Sequence, residues 1–461
     1  MGAVLGGMSS TVEIPLWLAV LVGVLGLLGL LDRIIGPSLR WFFRKRVNRA
    51  IDRLNQRLDL KIQPFKLTKR KVLIDRLIYD PEVMAALEAH VAEEDVPREV
   101  AVEKVERYAR ETVPAFSAFA YFGFGMRLSR WVSQALYRVR IGVYDDKELS
   151  AIDPEAAVVF VMNHRSNIDY LLVTYLAARR TSLSYAVGEW ANVWGLRQVI
   201  RAMGAYFIRR KSRNPLYRKV VARYIKMAVE GGVTQAMFPE GGLSRDGRLG
   251  PAKLGLISYM CDGFEPGVSR DIVFVPVGLN YDRVIEDRIL LESIAEEKQP
   301  RFNAGPFSAI KFVLRLMWMK ATGRLYRFGY ACVSFGAPLS LTEYAVGGAV
   351  DVEALGEALM GRVGAVIPVL PVSLVATVLL NAERALSPLE LKAATAELIA
   401  RLKARGAHLH IPRNDDDYAV DVGLRMMRMR GLVREEPEGL RANPDEQRVL
   451  RYYANAIAHL V

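Results

Sequence analysis

Between Ala156 and Phe335 short β-rich runs alternate with helical stretches, and this constrains the fold more than any other feature of the chain. The runs are AAVVFVMN, VTQAMFPE, DIVFVPVGL and RFGYACVSFG, and the helical stretches include Tyr170–Arg180, Tyr217–Val229 and Ala309–Lys320. Strands separated by helices predict an α/β domain whose sheet is covered by helices. Upstream, the spacing of Val100, Val102, Val105, Tyr108 and Ala109 is helical. After Leu341 the strands stop and helices return, most clearly at Leu389–Arg405 and Ala419–Arg430. At 461 residues two or three domains are expected. The boundaries read as 1–35 for a membrane anchor, 36–148 for a basic and then acidic helical region, 149–340 for the α/β domain and 341–461 for a C-terminal helical domain.

The anchor reading comes from Ile14–Leu31, eighteen residues without a charge. As a helix it would reach about 27 Å, enough to cross a hydrocarbon core. Arg33, Arg40, Arg44, Lys45, Arg46 and Arg49 follow it, which places the rest of the chain on the cytoplasmic side. The segment either spans the membrane or lies in its plane. A second apolar run, Val363–Leu380, contains Pro368 and Pro371. Two prolines three apart break or kink a helix and leave too little to span a membrane, so this run reads as a core helix of the C-terminal part.

Formal net charge is +13, unevenly spread. Residues 40–76 hold thirteen Lys/Arg against three Asp/Glu, residues 80–111 hold ten acids against four bases, and residues 197–226 hold ten bases and no acid. The first block reads as a membrane-facing surface and the second as a solvated helical face. In the third, Arg218 and Arg223 read as a basic surface lying on anionic lipid. Only two cysteines, Cys261 and Cys332, are present and neither has metal-ligand spacing, so no disulfide framework, metal site or cofactor is expected. The basic block matches no nucleic-acid-binding module.

Four segments carry candidate chemistry. AAVVFVMN leads directly into His164-Arg165-Ser166-Asn167-Ile168-Asp169. Residues five apart on a regular helix point about 140° away from each other, so the histidine and the acid meet only if His164 precedes the helix. Asp169 would then fix the imidazole tautomer and leave the other nitrogen to take a proton. Ser166 lacks the Gly-x-Ser-x-Gly context of an activated serine. The second segment, Gly204 to Arg210, brings Phe207 beside Arg209 and Arg210, guanidinium forks suited to phosphate. The third, Phe238 to Arg248 and on to Lys253, offers the donors Ser244, Arg245, Arg248 and Lys253 around Glu240, Gly241 and Gly242, without Walker A spacing. The fourth is the strand Phe274-Val275-Pro276-Val277, continuing to Asn280-Tyr281-Asp282-Arg283 and reading as a buried strand closed by a proline.

In this order the four segments resemble the sequence blocks of the glycerolipid acyltransferases, above all the glycerol-3-phosphate acyltransferase branch. His164 and Asp169 match the family's HxxxxD pair, and Gly204 to Arg210 its Gly-x-x-Phe-Ile-Arg-Arg block. Glu240, Gly241, Gly242, Ser244 and Arg245 match its Glu-Gly-Gly-Arg-Ser-Arg loop, and Val275 and Pro276 its Val-Pro strand. The match is firm over about residues 155–285. It departs at Leu243, where the family usually has an arginine that helps hold the acceptor's phosphate; Arg245, Arg248 or Lys253 would take that duty here.

The resemblance implies a mixed sheet covered by helices and a reaction without cofactor. His164 takes the proton of the sn-1 hydroxyl of glycerol 3-phosphate, Asp169 orients the imidazole, and the oxygen attacks the thioester of acyl-CoA or acyl-carrier protein. Arg209 and Arg210 bind the acceptor phosphate, while Glu240 and Gly241 shape the pocket. It also implies a bacterial inner-membrane location with the catalytic domain cytoplasmic and anionic lipids as partners, but no nucleic acid. Alternatives are 1-acylglycerol 3-phosphate or dihydroxyacetone phosphate as acceptor and, outside enzymes, a basic membrane-bound scaffold.

Overall fold

The structure, a computed structural model, describes residues 49, 51–58, 60–177, 181–188, 196–209, 212–296, 306–322, 327–345 and 349–461. The chain divides into two compact units, Met1–Arg57 and Leu58–Val461, and the sheet and the site lie in the second. The Ile14–Leu31 segment lies outside the described residues, among which no helix is long and apolar enough to cross a membrane.

The four expected strands form, as β2, β5, β6 and β7 below, and four further strands join them in the sheet. In chain order the strands are β1 (Arg138–Ile141), β2 (Ala157–Met162), β3 (Ser184–Gly188), β4 (Tyr206–Ile208), β5 (Gln235–Met237), β6 (Ile272–Tyr281), β7 (Tyr330–Phe335) and β8 (Leu339–Ser340). Their order across the sheet is β1-β7-β6-β2-β5-β3-β4, with β8 pairing β6. Pairings from β6 through β2, β5 and β3 to β4 are parallel, while β7 and β8 run antiparallel to β6, so the sheet is mixed. β1 pairs with β7, so the sheet begins before residue 149.

Side chains alternate across a strand, and β2 uses both faces. Val158, Phe160 and Met162 enter one hydrophobic core and Ala157, Val159 and Val161 the other. Each buried valine contributes about 1.5–3 kcal/mol relative to exposure. The first core also takes Leu172, Val375 and Tyr452, from the helices Asp169–Ala177, Pro371–Asn381 and Gln447–Asn455. The second takes Val105, Val220 and Leu359, from Arg98–Thr112, Pro215–Glu230 and Val352–Ala365. The Pro215–Glu230 helix shows how local sequence sets an element. Asn214 caps it by accepting from Tyr217 N at 2.9 Å, Pro215 opens its first turn, and it ends at Gly231.

Three expectations change. The Val363–Leu380 run is two helices rather than one, because Pro371 opens a new helix and Val369, extended between them, pairs with the 408–410 segment. Strands do not stop at Leu341, since β9 (Val433–Glu436) and β10 (Gly439–Ala442) form an antiparallel hairpin. Arg223 is no lipid-facing cation. Its Nε lies 2.7 Å from Asp80 Oδ2, and Lys219 Nζ lies 2.6 Å from Glu82 Oε2. Part of the acidic block and part of the third basic block thus neutralise each other between packed helices.

Candidate active site

Parallel strands deliver their carboxyl ends to one edge of a sheet, and α/β folds place ligands there. Here β2, β5 and β6 bring His164, Glu240 and Tyr281 to that edge. Asn163 fixes the exit from β2, its Nδ2 donating to Leu279 O (2.9 Å) and its Oδ1 accepting from Leu279 N (2.7 Å). The chain then turns through His164–Ile168 before the Asp169–Ala177 helix begins, the arrangement the five-residue spacing requires.

Asp169 is fully buried, and its oxygens are occupied on every side. Oδ2 accepts from His164 Nδ1 (2.9 Å), Arg165 N (2.7 Å) and Ser166 N (3.0 Å), and Oδ1 accepts from Tyr281 OH (2.6 Å). These bonds, at the positive end of a helix, offset the cost of burying a carboxylate. Burial first, then the charge of Asp169, holds the Tyr281 phenol well above its ordinary range, so Tyr281 stays a donor.

The His164 ring stacks on Phe238 with centroids 4.0 Å apart and meets the Tyr170 ring edge-on at 5.5 Å. Its backbone is held by the third segment, His164 N donating to Glu240 Oε1 (2.7 Å) and its carbonyl accepting from Ser244 N (2.9 Å). Gly250 N donates to the other Glu240 oxygen at 3.0 Å. Burial pushes the Glu240 carboxyl up to about 7, against the pull of those two backbone donors. Glu240 is therefore a brace between the histidine and the Gly-rich loop. A second buried acid, Glu286, accepts from Ser166 Oγ (2.7 Å) and from Asn167 N and Nδ2 (3.2 and 3.1 Å).

The remaining third-segment residues divide into turn-formers and outward donors. Ser244 Oγ donates to Arg248 O (2.7 Å) and accepts from Gly247 N (3.1 Å), closing the turn. Gly241 has φ +68°, and a side chain there would strike that of Lys253. Among the described residues Arg245 and Lys253 have no ion-pair partner, and Arg248 reaches Asp246 only at 3.9 Å. Leu243 is half-buried against the core.

In the second segment Gly204 takes φ +89°, where a Cβ would stand 2.9 Å from the Phe116 ring, and Phe207 is buried. Arg209 is bound within the protein. Its Nε and Nη2 lie 2.9 and 2.6 Å from the two oxygens of Glu111, and its guanidinium sits over the Tyr108 and Tyr217 rings. Arg210 lies outside the described residues. Pro276 is buried within β6 in register with Val161, five residues before Tyr281.

The structure thus joins the first, third and fourth segments. Tyr281 was visible as the end of a buried strand, but nothing in the sequence gave it a role. Glu286 had no local signal at all, being tied to the turn by a contact 120 residues long. A cavity of about 560 Å³ is lined by residues such as Ile141, Lys403 and His410, none of them from this site.

The family model for acyltransferases matches residues 140–280, which include β2 to β5, β6 up to Asn280, the first three segments and the Val-Pro strand of the fourth. Over those residues the chain is similar to the acyltransferase family. A second model, for the C-terminal region of glycerol-3-phosphate acyltransferases, matches residues 316–461. A glycerol-3-phosphate acyltransferase of Aeromonas hydrophila is 29% identical over 421 residues, covering 86% of this chain and 50% of the relative. One from Pseudomonas syringae is 26% identical, covering 86% of this chain and 49% of the relative, and one from Alteromonas mediterranea is 30% identical over 56% and 31%. The chain therefore spans half or less of the length of these relatives. A solved 1-acyl-sn-glycerophosphate acyltransferase from Thermotoga maritima is 15% identical with a TM-score of 0.29, over 64% of this chain and 98% of that one.

Proposed function

We propose that this protein transfers a fatty acyl group from acyl-CoA or acyl-carrier protein to the sn-1 hydroxyl of glycerol 3-phosphate. The observation that carries the reading is the buried contact of His164 Nδ1 with Asp169 Oδ2 at 2.9 Å, beside a loop with uncommitted cations. With Nδ1–H donated to Asp169, Nε2 keeps its lone pair and acts as the base. It takes the hydroxyl proton as the oxygen bonds to the thioester carbonyl carbon. The tetrahedral intermediate collapses, the C–S bond breaks, and the imidazolium returns its proton to the departing sulfur. The products are 1-acylglycerol 3-phosphate and a free thiol, with no covalent acyl-enzyme. Asp169 stabilises the imidazolium while it exists. The acceptor's phosphate is met by Arg245, Arg248 and Lys253, with Arg209 and Arg210 adding positive potential. Ser166, already donating to Glu286, takes no nucleophilic part.

Thiol release from palmitoyl-CoA, measured in turn with glycerol 3-phosphate, dihydroxyacetone phosphate and 1-acylglycerol 3-phosphate, tests the reading. Release with glycerol 3-phosphate alone is expected. Release only with the lysolipid would move the enzyme to another acceptor and leave the base in place.

The reading puts the site at an anionic membrane surface, where a lipid-like product and soluble substrates meet. The helix Pro306–Ala321 supports this, because Leu314, Met317 and Trp318 stand exposed on one face with Lys311 and Arg315 nearby, and the helix contains no acid. A polarity-sensitive dye on Met317→Cys should shift to the blue on phosphatidylglycerol vesicles. Labelling is selective because both native cysteines are buried. An unmoved spectrum would exclude this face from the membrane.

A further inference from the structure

We infer that the Gln447–Asn455 helix is part of the catalytic apparatus, holding the His164–Asp169 turn in shape through Arg165, a positioning residue. The inference rests on the acyl-transfer reading above for its kinetic consequences, but its geometry stands apart from it.

Arg165 works at both ends. Its backbone N–H is one of the donors on Asp169 Oδ2, at 2.7 Å. Its side chain runs the other way, donating from Nη1 to the carbonyl of Gly247 and lying 4.7 Å over the ring of Tyr452. The residue is 3% exposed, and its Nε and Nη2 have no hydrogen-bond partner among the described residues. A buried guanidinium with one hydrogen bond is an expensive way to fill space, and the Tyr452 face and the nearby Glu240 carboxyl offset only part of that cost. Such a cation is a poor choice for stability alone and marks a geometric duty.

The helix also packs on the loop and the segment that brace this turn. Gly247, with φ +91°, abuts it so closely that a Cβ would fall 1.9 Å from the Tyr452 carbonyl oxygen. Asn455 Nδ2 donates to Asp246 O at 2.8 Å. Tyr453, the next residue, accepts from Val284 N (3.0 Å) and donates to Asp287 Oδ2 (2.5 Å). Those contacts fix the segment that carries Glu286, the acid bound to Ser166 and Asn167. Two successive tyrosines therefore grip the turn from two sides, Tyr452 through Arg165 and Tyr453 through Glu286. Neither needs to touch substrate.

Full-length wild type, Tyr452→Leu, Tyr452→Phe, Arg165→Lys and the double variant Arg165→Lys/Tyr452→Leu test this by steady-state kinetics. Misplacement by about 1 Å costs on the order of 100-fold in rate. Tyr452→Leu and Arg165→Lys should each lose about 30- to 100-fold in kcat with KM for glycerol 3-phosphate within about threefold. Tyr452→Phe, which keeps the aromatic face, should stay within threefold of wild type, and the double variant should be no worse than the worse single one. A large rise in KM at unchanged kcat would make Arg165 an anion ligand instead, and losses that multiply would uncouple the two residues; either result overturns the inference. A wild type silent with every acceptor and donor would fail the acyl-transfer reading, and a spectroscopic signature then decides separately. The downfield proton NMR resonance of His164 Nδ1–H should be present in wild type and Tyr452→Phe and broadened away in Tyr452→Leu. Its persistence in Tyr452→Leu overturns the inference whatever the reaction is.

Discussion

Arg165 follows β2 and Arg209 follows β4, strands that run the same way through one sheet, yet the protein treats the two cations differently. Arg209 has a bidentate carboxylate partner in Glu111 and two tyrosine faces, and the Glu111 bond raises its affinity for its proton further. Arg165 is more deeply buried, with one carbonyl and one ring. A cation with a matched acid ties helices to the sheet. A cation without one is tolerated where its placement serves the turn beside it. The difference explains why adjacent motifs rich in arginine need not share a duty.

The largest effect on that contrast comes from Asp169, on which the Arg165 side depends. Asp169→Asn keeps the size of the side chain but loses the charge that stabilises the imidazolium. Turnover should fall by about 10²–10⁴-fold with little change in KM. A variant within threefold of wild type would break the link between this turn and the chemistry. Next comes Arg209→Ala, expected to lower stability by about 1–2 kcal/mol in urea unfolding, discounted because the side chain is about a third exposed. KM for glycerol 3-phosphate should rise by less than threefold. Lys253→Ala should do the reverse, raising that KM by about 3- to 10-fold at unchanged stability. A large KM effect in Arg209→Ala would mean that substrate draws Arg209 away from Glu111, and the contrast with Arg165 would narrow.

The effect furthest from catalysis is on the pH dependence of stability. Glu240 and Asp282 are both pushed up to about 7, chiefly by burial, so below that pH the folded protein binds protons that the unfolded chain has released. Stability should then fall as pH rises from about 4.5 to 7 and level off above it, each group contributing at most about 1.4 kcal/mol per pH unit. Urea midpoints at pH 5.5, 6.5 and 7.5 check this, and Glu240→Gln should flatten the slope. A flat profile over this range would mean that these carboxyls are ionised throughout.

The layered fold was legible because strand and helix periodicities differ, and β2, β6 and β7 declare themselves by near-continuous apolar runs. β3 and β4 were not separated, being only five and three residues long, with β4 inside a segment read for its arginines. The His164–Asp169 contact was legible because the spacing allowed only one geometry. Glu240 and Ser244 were found as members of the site, but as pocket and donor; the fold uses them as a brace on His164 and a turn closure. Arg209 shows what local pattern leaves out. Its type and neighbours suggested a phosphate ligand, and only tertiary structure shows that Glu111, 98 residues earlier, holds it. Arg165, Glu286 and Tyr452 were silent for the same reason, since long-range partners leave no mark on local pattern.

The central claim is that His164, oriented by Asp169, removes the acceptor's proton. The most direct test is the rate of glycerol 3-phosphate-dependent thiol release by purified wild type and His164→Ala, with matched circular dichroism spectra. Release dependent on the acceptor in wild type, and at least about 100-fold slower in the variant, is the predicted result. Equal release from both proteins would contradict it.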